Sequence, residues 1–493
     1  MESLYIAMVS AECAPVAKAG GLGDFIHGLG RELMACGHEV EIVLPKYDVL
    51  RYECIQGLRP VRRDLWVPFE RETIHCDVES GQVDGLRCLF VDVHSRHGFF
   101  NRGRIYGDVD DAERFTVFCH VVLEYFRHAK RRPDVIHCND WQTGLLPVLL
   151  YERYERLGLR RTRVCYSLHN LGYQGWCEPR LLSAHGLDVQ RLMTPDRLQD
   201  PGNPRCANLM KGGIVYSNFV TTVSPRYAWE IQHTEQGMGL QSLLKQYHGK
   251  FAGVLNGIDV TTWNPATDAA IPCHYDIDRL PRKAKNQRAL RERLDLIETA
   301  RPLVAIVSRL ERQKGIELML HAISYTLNQG QFVLLGTASE PAIAAEFIRL
   351  GRDADPAHCR LQLGYDEDLA HLIYAGADLI LIPSRYEPCG LTQMIAMRYG
   401  CVPVVRGVGG LADTVFDAND SDRPFSERNG FVFHEPTPEA LEGALERALG
   451  LWREHPDHFL QLRLNGMRAD YSWRTSTQRY LEIYRYLLRD IPT

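Results

Sequence analysis

Short, wholly apolar runs alternate with amphipathic helical stretches along this chain, and the alternation starts afresh near residue 300. Apolar runs of that length suit strands buried on both faces, and such strands joined by helices build parallel sheets. In the first half the predicted strands are 4–10, 39–44, 86–93, 134–138, 163–168, 219–223 and 252–255. The first helix opens at or just after Asp24, on Phe25, Leu29, Leu33 and Met34. Further helices are predicted over 111–129, 142–157 and near 208–216, and residues 52–93 read as a hairpin-like insertion. Residues 259–300 break the rhythm with Trp263-Asn264-Pro265, Ile271-Pro272 and a basic run, Arg282, Lys283 and Lys285. A domain boundary is placed there, at 262/263. The second half has predicted strands at 303–307, 332–335, 361–363, 378–382 and 402–405, with helices at 315–328, 366–375, 391–399 and 438–449. An amphipathic helix closes the chain from Trp473 through Leu481, Tyr484 and Leu488. The expectation is an α/β protein of two doubly wound, Rossmann-like domains facing across a cleft, with ligands beyond the carboxyl ends of the strands.

Nearly every residue with chemical potential sits just past such a strand end. Lys18, Gly21 and Asp24 belong to Lys18-Ala19-Gly20-Gly21-Leu22-Gly23-Asp24, between the first strand and its helix. Strand, glycine turn and helix N-terminus can bind anions through backbone N–H groups; the same glycines also serve a tight turn that needs only their backbone freedom. The pattern is neither G-x-G-x-x-G nor a P-loop. Asp140 follows a middle strand, and His169 and Asn170 follow another. Arg309 and Lys314, in Ser308-Arg309-Leu310-Glu311-Arg312-Gln313-Lys314-Gly315, supply the two cations that suit a diphosphate. A solvated basic loop is the competing account of that segment. Gly407-Val408-Gly409-Gly410 reads as a second backbone cradle. In Glu387-Pro388-Cys389-Gly390-Leu391-Thr392-Gln393, Glu387 suits sugar hydroxyls or a helix start, and Cys389 has no assignable histidine partner. Asp108, Asp110 and Asp111 are expected to cap the next helix rather than to bind metal.

Composition narrows the classes. The 493 residues are 45% hydrophobic and 24% charged, which fits a soluble protein of roughly two to three domains. A net charge of -5 gives no reason to expect nucleic acid or an anionic membrane, and no stretch approaches a membrane span. None of the 14 cysteines forms a C-x-x-C pair, and the first strand follows the N-terminus directly; a reduced, cytoplasmic protein without a signal peptide is expected.

Taken together these segments resemble the bacterial glycogen synthases and plant starch synthases over essentially the whole length. The motifs are KAGGLGD at 18–24, HNLGYQG at 169–175, VLNGID at 254–259, SRLERQKG at 308–315, PSRYEPCGLTQ at 383–393 and the GGLADTV run from Gly409. The resemblance implies the GT-B fold, with residues 1–262 on the acceptor side, 263–470 holding the donor, and 471–493 a helix crossing back to the first domain. It implies glucosyl transfer from a nucleotide-glucose, usually ADP-glucose and alternatively UDP-glucose, to the non-reducing end of an α-1,4-glucan such as glycogen. Configuration would be retained, with no metal and no cofactor. Lys18, Arg309 and Lys314 would bind the diphosphate, and Glu387 would lie by the transferred glucose with Asp140 and His169. Tyr106, Asn170, Asn256, Tyr365, Cys389, Gly390, Leu391 and Thr392 would line donor or acceptor. Ala19 and Gln142 depart from the family pattern. A sister transferase making maltose 1-phosphate, a phosphorylase carrying pyridoxal phosphate and a non-catalytic sugar-binding protein are the alternatives.

Overall fold

The computed structural model describes residues 3–489. The chain divides into two compact units. The first runs to Val223, resumes over Ala228–Gly257 and takes in the stretch from Trp473; the second is Ser224–Tyr227 with Ile258–Ser472.

The first unit contains β1 (Tyr5–Val9), β2 (Glu39–Pro45), β3 (Gln56–Phe69), β4 (Glu72–Val83), β5 (Leu86–His94), β6 (Val135–Asn139), β7 (Arg163–Leu168), β8 (Trp176–Cys177), β9 (Ala207–Asn208), β10 (Phe219–Thr222) and β11 (Phe251–Gly253). Nine of them form one sheet in the order β11-β10-β7-β6-β1-β2-β5-β4-β3. Pairing is parallel from β11 to β5, and β3, β4 and β5 pair antiparallel at the far edge, as the hairpin-like insertion requires. The strand order reverses between β1 and β6, and at such a switch point loops diverge and leave room for a ligand.

The helix following β1 spans Gly21–Ala35 and so starts three residues before Asp24. Glu12 is the cause, because its buried carboxylate accepts the backbone N–H groups of Ala19 and Gly20, each at 2.7 Å. The stretch expected as one helix over 142–157 is a succession of short helical turns of differing winding, from Trp141–Thr143 to Glu155–Leu157. The acids at 108–111 do not cap their helix as expected. Arginines draw them away: Arg104 pairs with Asp108 at 2.5 Å, Arg102 with Asp110, and the buried Arg114 with Asp111 at 2.7 Å.

The helix Trp473–Leu488 belongs to the first unit, and residues 490–493 of the expected C-terminal segment lie outside the described residues. A Cβ at Gly28 would stand 1.8 Å from Trp473 Nε1, so only glycine lets the indole lie against the first helix. Phe25 meets Trp473 and Tyr480 edge-on. Farther along, Tyr484 Oη hydrogen-bonds His137 Nδ1 at 2.7 Å, His137 Nε2 meets Ser167 Oγ at 2.6 Å, and Ser167 meets Thr221 Oγ1 at 2.6 Å. This buried polar chain ties the last helix to β6, β7 and β10.

The second unit contains β12 (Leu303–Leu310), β13 (Gln331–Ala338), β14 (Cys359–Leu363), β15 (Leu379–Ile382), β16 (Val402–Arg406) and β17 (Phe431–Phe433). All pair parallel in the order β14-β13-β12-β15-β16-β17, the doubly wound dinucleotide-fold order. Val304, Ile306, Phe332, Leu334, Leu379, Leu381, Val402 and Val404 form the core with the flanking helices. β12 continues to Leu310, so Arg309 lies within the strand, paired with Thr337. The basic run leads into the helix Lys283–Arg293. Its buried face is polar: Lys283 Nζ donates to the carbonyls of Tyr374, Ala375 and Tyr399.

Candidate functional site

In the first unit the site grows from the end of β1. Glu12 holds the glycine turn with one carboxylate oxygen and accepts Tyr106 Oη on the other at 2.8 Å. The turn is therefore a supported loop, and its Ala19 and Gly20 amides are engaged by Glu12 rather than offered to an anion. Lys18 stays largely exposed and pairs with Asp24 at 2.7 Å, which also places Asp24 in the first turn of the helix, where the dipole favours it. Gly21 is the first residue of that helix.

Asp140 stands directly after β6 with φ 56° and ψ -179°, a conformation that costs a non-glycine residue on the order of 1–3 kcal/mol. Its Oδ1 accepts the His169 amide at 2.7 Å and the Asn170 amide at 3.4 Å, which bridges the ends of β6 and β7. Burial pushes its carboxyl up to about 7, with Glu12 adding to the rise and the two amides opposing it. Its proton therefore exchanges near neutral pH.

His169 is held neutral, since burial pulls its imidazole down to about 3. Asn139 Nδ2 donates to the carbonyls of Val9 and His137, so Asn139 Oδ1 accepts from His169 Nε2 at 3.0 Å. That leaves the lone pair on Nδ1, an acceptor suited to a hydroxyl. Phe25 meets the imidazole edge-on at 4.6 Å. Asn170 Oδ1 accepts the Gly172 amide, and the buried Asn256 keeps an Oδ1 with no hydrogen-bond partner among the described residues. An orphaned buried acceptor of that kind points to a ligand donor.

In the second unit three loops meet at Glu387. Lys314 ends a short turn after β12, and its Nζ lies 2.5 Å from Glu387 Oε2, which also accepts Ser384 Oγ at 2.9 Å. Arg385 N donates to the Gln313 carbonyl, and Gln313 Nε2 donates to that of Tyr386. The next residue, Gly315, has φ 77°, and a Cβ there would stand 2.3 Å from the Pro383 carbonyl oxygen. The loop after β16 arrives from the other side. Gly410 N donates to the carbonyls of Glu387 and Pro388, and a Cβ on Gly410 would meet the Cys389 carbonyl oxygen at 2.1 Å. These glycines serve close backbone approach, and the Gly410 amide is engaged within the protein.

Arg309 projects from the end of β12, half exposed, and pairs with Glu311 at 2.8 Å. Cys389 is buried, Gly390 has φ 75°, and Leu391 and Thr392 open the helix Thr392–Arg398. Gln393 Nε2 locks that turn on the carbonyls of Cys389 and Gly390 and on Thr414 Oγ1. Tyr365 stands apart. It follows β14, three strands from β15, is exposed, and its hydroxyl donates to Glu367.

Glu12 and Ser384 are supports to which sequence reasoning gives no role, and Asn139, which the strand end delivers together with Asp140, is given none either. Each lies within two residues of a predicted strand end, the same signal that marked Asp140 and His169. Among the described residues, no group of three or more His, Cys, Asp or Glu side chains could hold a metal ion, and no helix is long and apolar enough to cross a membrane. None of the 14 cysteines is in a disulfide.

The starch synthase catalytic domain family matches residues 5–246, and the glycosyl transferases group 1 family matches residues 288–460. Glycogen synthase 1 of Nitrosococcus oceani is 52% identical over 486 residues, covering 98% of this chain and 99% of its own. Glycogen synthase 2 of Methylococcus capsulatus is 52% identical over 482 residues, covering 97% and 99%. Among solved structures, the catalytic domain of starch synthase IV from Arabidopsis thaliana, bound to ADP and acarbose, is 43% identical with a TM-score of 0.95, covering 99% of this chain and 100% of that one. Likeness at that level over nearly every residue, on two sheets of Rossmann-like order, makes this chain a member of the bacterial glycogen synthase and plant starch synthase family, glycosyltransferases of the GT-B fold.

Proposed function

We propose that the protein is a glycogen synthase, transferring glucose from ADP-glucose to the non-reducing 4-hydroxyl of an α-1,4-glucan with retention of configuration. One observation carries the site assignment: Lys314 and the loops after β12, β15 and β16 converge on Glu387 in a chain whose relatives are named glycogen synthases. Arg309, Lys314 and Lys18 take the donor diphosphate and disperse the charge that builds on the departing phosphate oxygen. Glu387 accepts hydroxyls of the glucose being moved. Neutral His169 offers Nδ1 to a further hydroxyl, and Asp140 fixes the His169 and Asn170 backbone in place. The bond between the anomeric carbon and the phosphate oxygen breaks, the bond to the acceptor oxygen forms on the same face, and the acceptor proton passes to the leaving phosphate. The second unit is assigned the donor and the first unit the acceptor side. The reduced cysteines favour the cytoplasm as the place of action.

The test is glucose transfer onto glycogen from ADP-glucose and, separately, from UDP-glucose without added metal, for wild type and Lys314→Ala. Primer-dependent elongation that the variant loses supports the assignment and names the donor. ADP release only with glucose 1-phosphate as acceptor assigns the protein to maltose 1-phosphate synthesis instead. Nucleotide binding without turnover overturns the enzyme reading.

A further inference from the structure

Seven residues beyond His169, the chain presents Trp176 to solvent, 50% exposed, beside a cavity of about 340 Å³ that the transfer chemistry above does not use. The cavity lies wholly in the first unit and is lined by Trp176, Asp200, Asn203, Met238 and Gly239 among others. Its volume falls at the small end of the range for ligand pockets, roughly 300–1,000 Å³.

The surroundings of the indole are built. Trp176 Nε1 donates to Asp200 Oδ2 at 2.8 Å, and Asp200 is itself buried. Asn208 Nδ2 donates to the same oxygen, while the amides of Gly202 and Asn203 donate to Oδ1. Four donors thus fix the carboxylate, and the carboxylate fixes the plane of the ring. The backbone of Trp176 pairs with Asn208 in the β8–β9 ribbon. Gln174 closes the frame, accepting Asn208 Nδ2 at 2.6 Å and donating to the Met238 carbonyl at 2.9 Å. Met238, in the left-handed region at φ 47°, is 42% exposed, and Tyr173 is 69% exposed three residues before Trp176.

A large aromatic face left in water costs solvation free energy, and here the protein spends buried hydrogen bonds on holding that face in one orientation. Rigid, amphipathic aromatic surface gives contact area at low entropic cost and suits a partner that is apolar on one side and polar on its edge. A pyranose ring has that character, with C–H bonds on its faces and hydroxyls around its rim. The same segment, from His169 to Trp176, leads from the proposed transfer residues to this cavity.

We propose that this cavity is a glucan subsite, in which a sugar ring of the α-1,4-glucan acceptor stacks on Trp176 while Asn203 and the neighbouring backbone meet its hydroxyls. The proposal rests on the glucan-synthase function given above. Its role is to hold the polymer by a remote part, so that the non-reducing end is presented repeatedly without release of the chain.

The experiment compares wild type, Trp176→Ala and Trp176→Phe by migration through gels containing glycogen and by steady-state kinetics with glycogen and ADP-glucose. Circular dichroism and melting temperature serve as controls for folding. Trp176→Ala is expected to weaken glycogen binding about tenfold and to raise KM for glycogen by a similar factor, with KM for ADP-glucose changed less than twofold. Trp176→Phe, which keeps a smaller aromatic face and loses the N–H, should recover most of the binding. Wild-type affinity and KM in a folded Trp176→Ala overturn the subsite while leaving the function in place. A wild type that neither binds nor elongates glycogen overturns both. A Phe variant as weak as the Ala variant assigns the effect to loss of the Asp200 hydrogen bond and overturns stacking.

Discussion

Lys314 Nζ lies 2.5 Å from Glu387 Oε2, so the cation assigned to the donor phosphates and the carboxylate assigned to the transferred sugar are hydrogen-bonded to one another. An ammonium has three N–H donors, and the carboxylate takes one. Lys314 can therefore serve a phosphate oxygen and Glu387 together, which sets the position of the sugar-binding carboxylate relative to the leaving group.

Lys314→Ala removes both functions. We expect kcat/KM for ADP-glucose to fall by about 10²–10³-fold, the loss typical of one charge-stabilising donor. Lys314→Arg keeps the charge but replaces a compact ammonium by a planar fork, and should recover only part of the activity. Steady-state kinetics on glycogen checks both; equal activity in wild type and Lys314→Ala would remove Lys314 from the site.

Glu12 supports the glycine turn that carries Lys18, so its substitution should weaken the diphosphate contact proposed for Lys18 without touching any substrate directly. Glu12→Ala leaves the amides of Ala19 and Gly20 and the hydroxyl of Tyr106 without their acceptor. Stranding a buried polar group costs roughly 1–3 kcal/mol. A lower melting temperature and a raised KM for ADP-glucose are expected, through misplacement of Lys18 and Gly21. Glu12→Gln, which keeps an acceptor oxygen for the amides, should restore most of both.

The parts of the fold legible in the sequence were those written in hydrophobic runs. β7 and the helix Trp473–Leu488 coincide with the predicted 163–168 and with the stretch from Trp473 through Leu488, because both are strongly patterned. What escaped was hidden by polar residues with buried partners. The helix Lys283–Arg293 turns Lys283, Asn286 and Arg291 inward, so its sequence shows no apolar stripe to announce a helix. β17 is three residues long, and β12 runs on to Leu310 through Ser308 and Arg309, polar residues whose pairing with β13 no continuous apolar run announces. The strand-end rule singled out Asp140, His169 and Lys314 as candidates, whereas the start of the first helix depended on Glu12, nine residues upstream of Gly21. Such a contact is tertiary and leaves no local pattern.

Asp140 gives the protein a pH signature. Its carboxyl ionises near 3.9 in an unfolded chain and near 7 in the folded one, where burial disfavours the charge. The native state therefore keeps the proton longer, and stability from this group is fully present below about pH 3.9 and lost as pH rises through about 7. His169 and His137 act oppositely. Burial pulls each down to about 3, so their contribution is present above about 6.5, the unfolded value, and is lost as pH falls. Asp140→Asn should thus gain stability over wild type between pH 4 and 8, with the difference levelling off above about pH 7. Denaturant unfolding at a series of pH values reads this directly, and a pH-independent difference would show that Asp140 titrates normally.

Gly28 and Trp473 fit together only because position 28 has no side chain. A Cβ there would lie 1.8 to 2.4 Å from three atoms of the five-membered ring of the indole, and the neighbouring Phe25 ring limits how far the indole can withdraw. Gly28→Ala should therefore cost about 1–3 kcal/mol by overpacking, despite alanine's higher helix propensity. Relief must come from the partner: Trp473→Leu alone leaves a cavity and destabilises, but in the double variant the added methyl occupies part of the space vacated. The measured double-mutant cycle should give a favourable coupling of about 1 kcal/mol or more between the two substitutions. Additive losses would mean that the last helix shifts away from the first as a body, and that Gly28 is needed for backbone approach rather than for the indole.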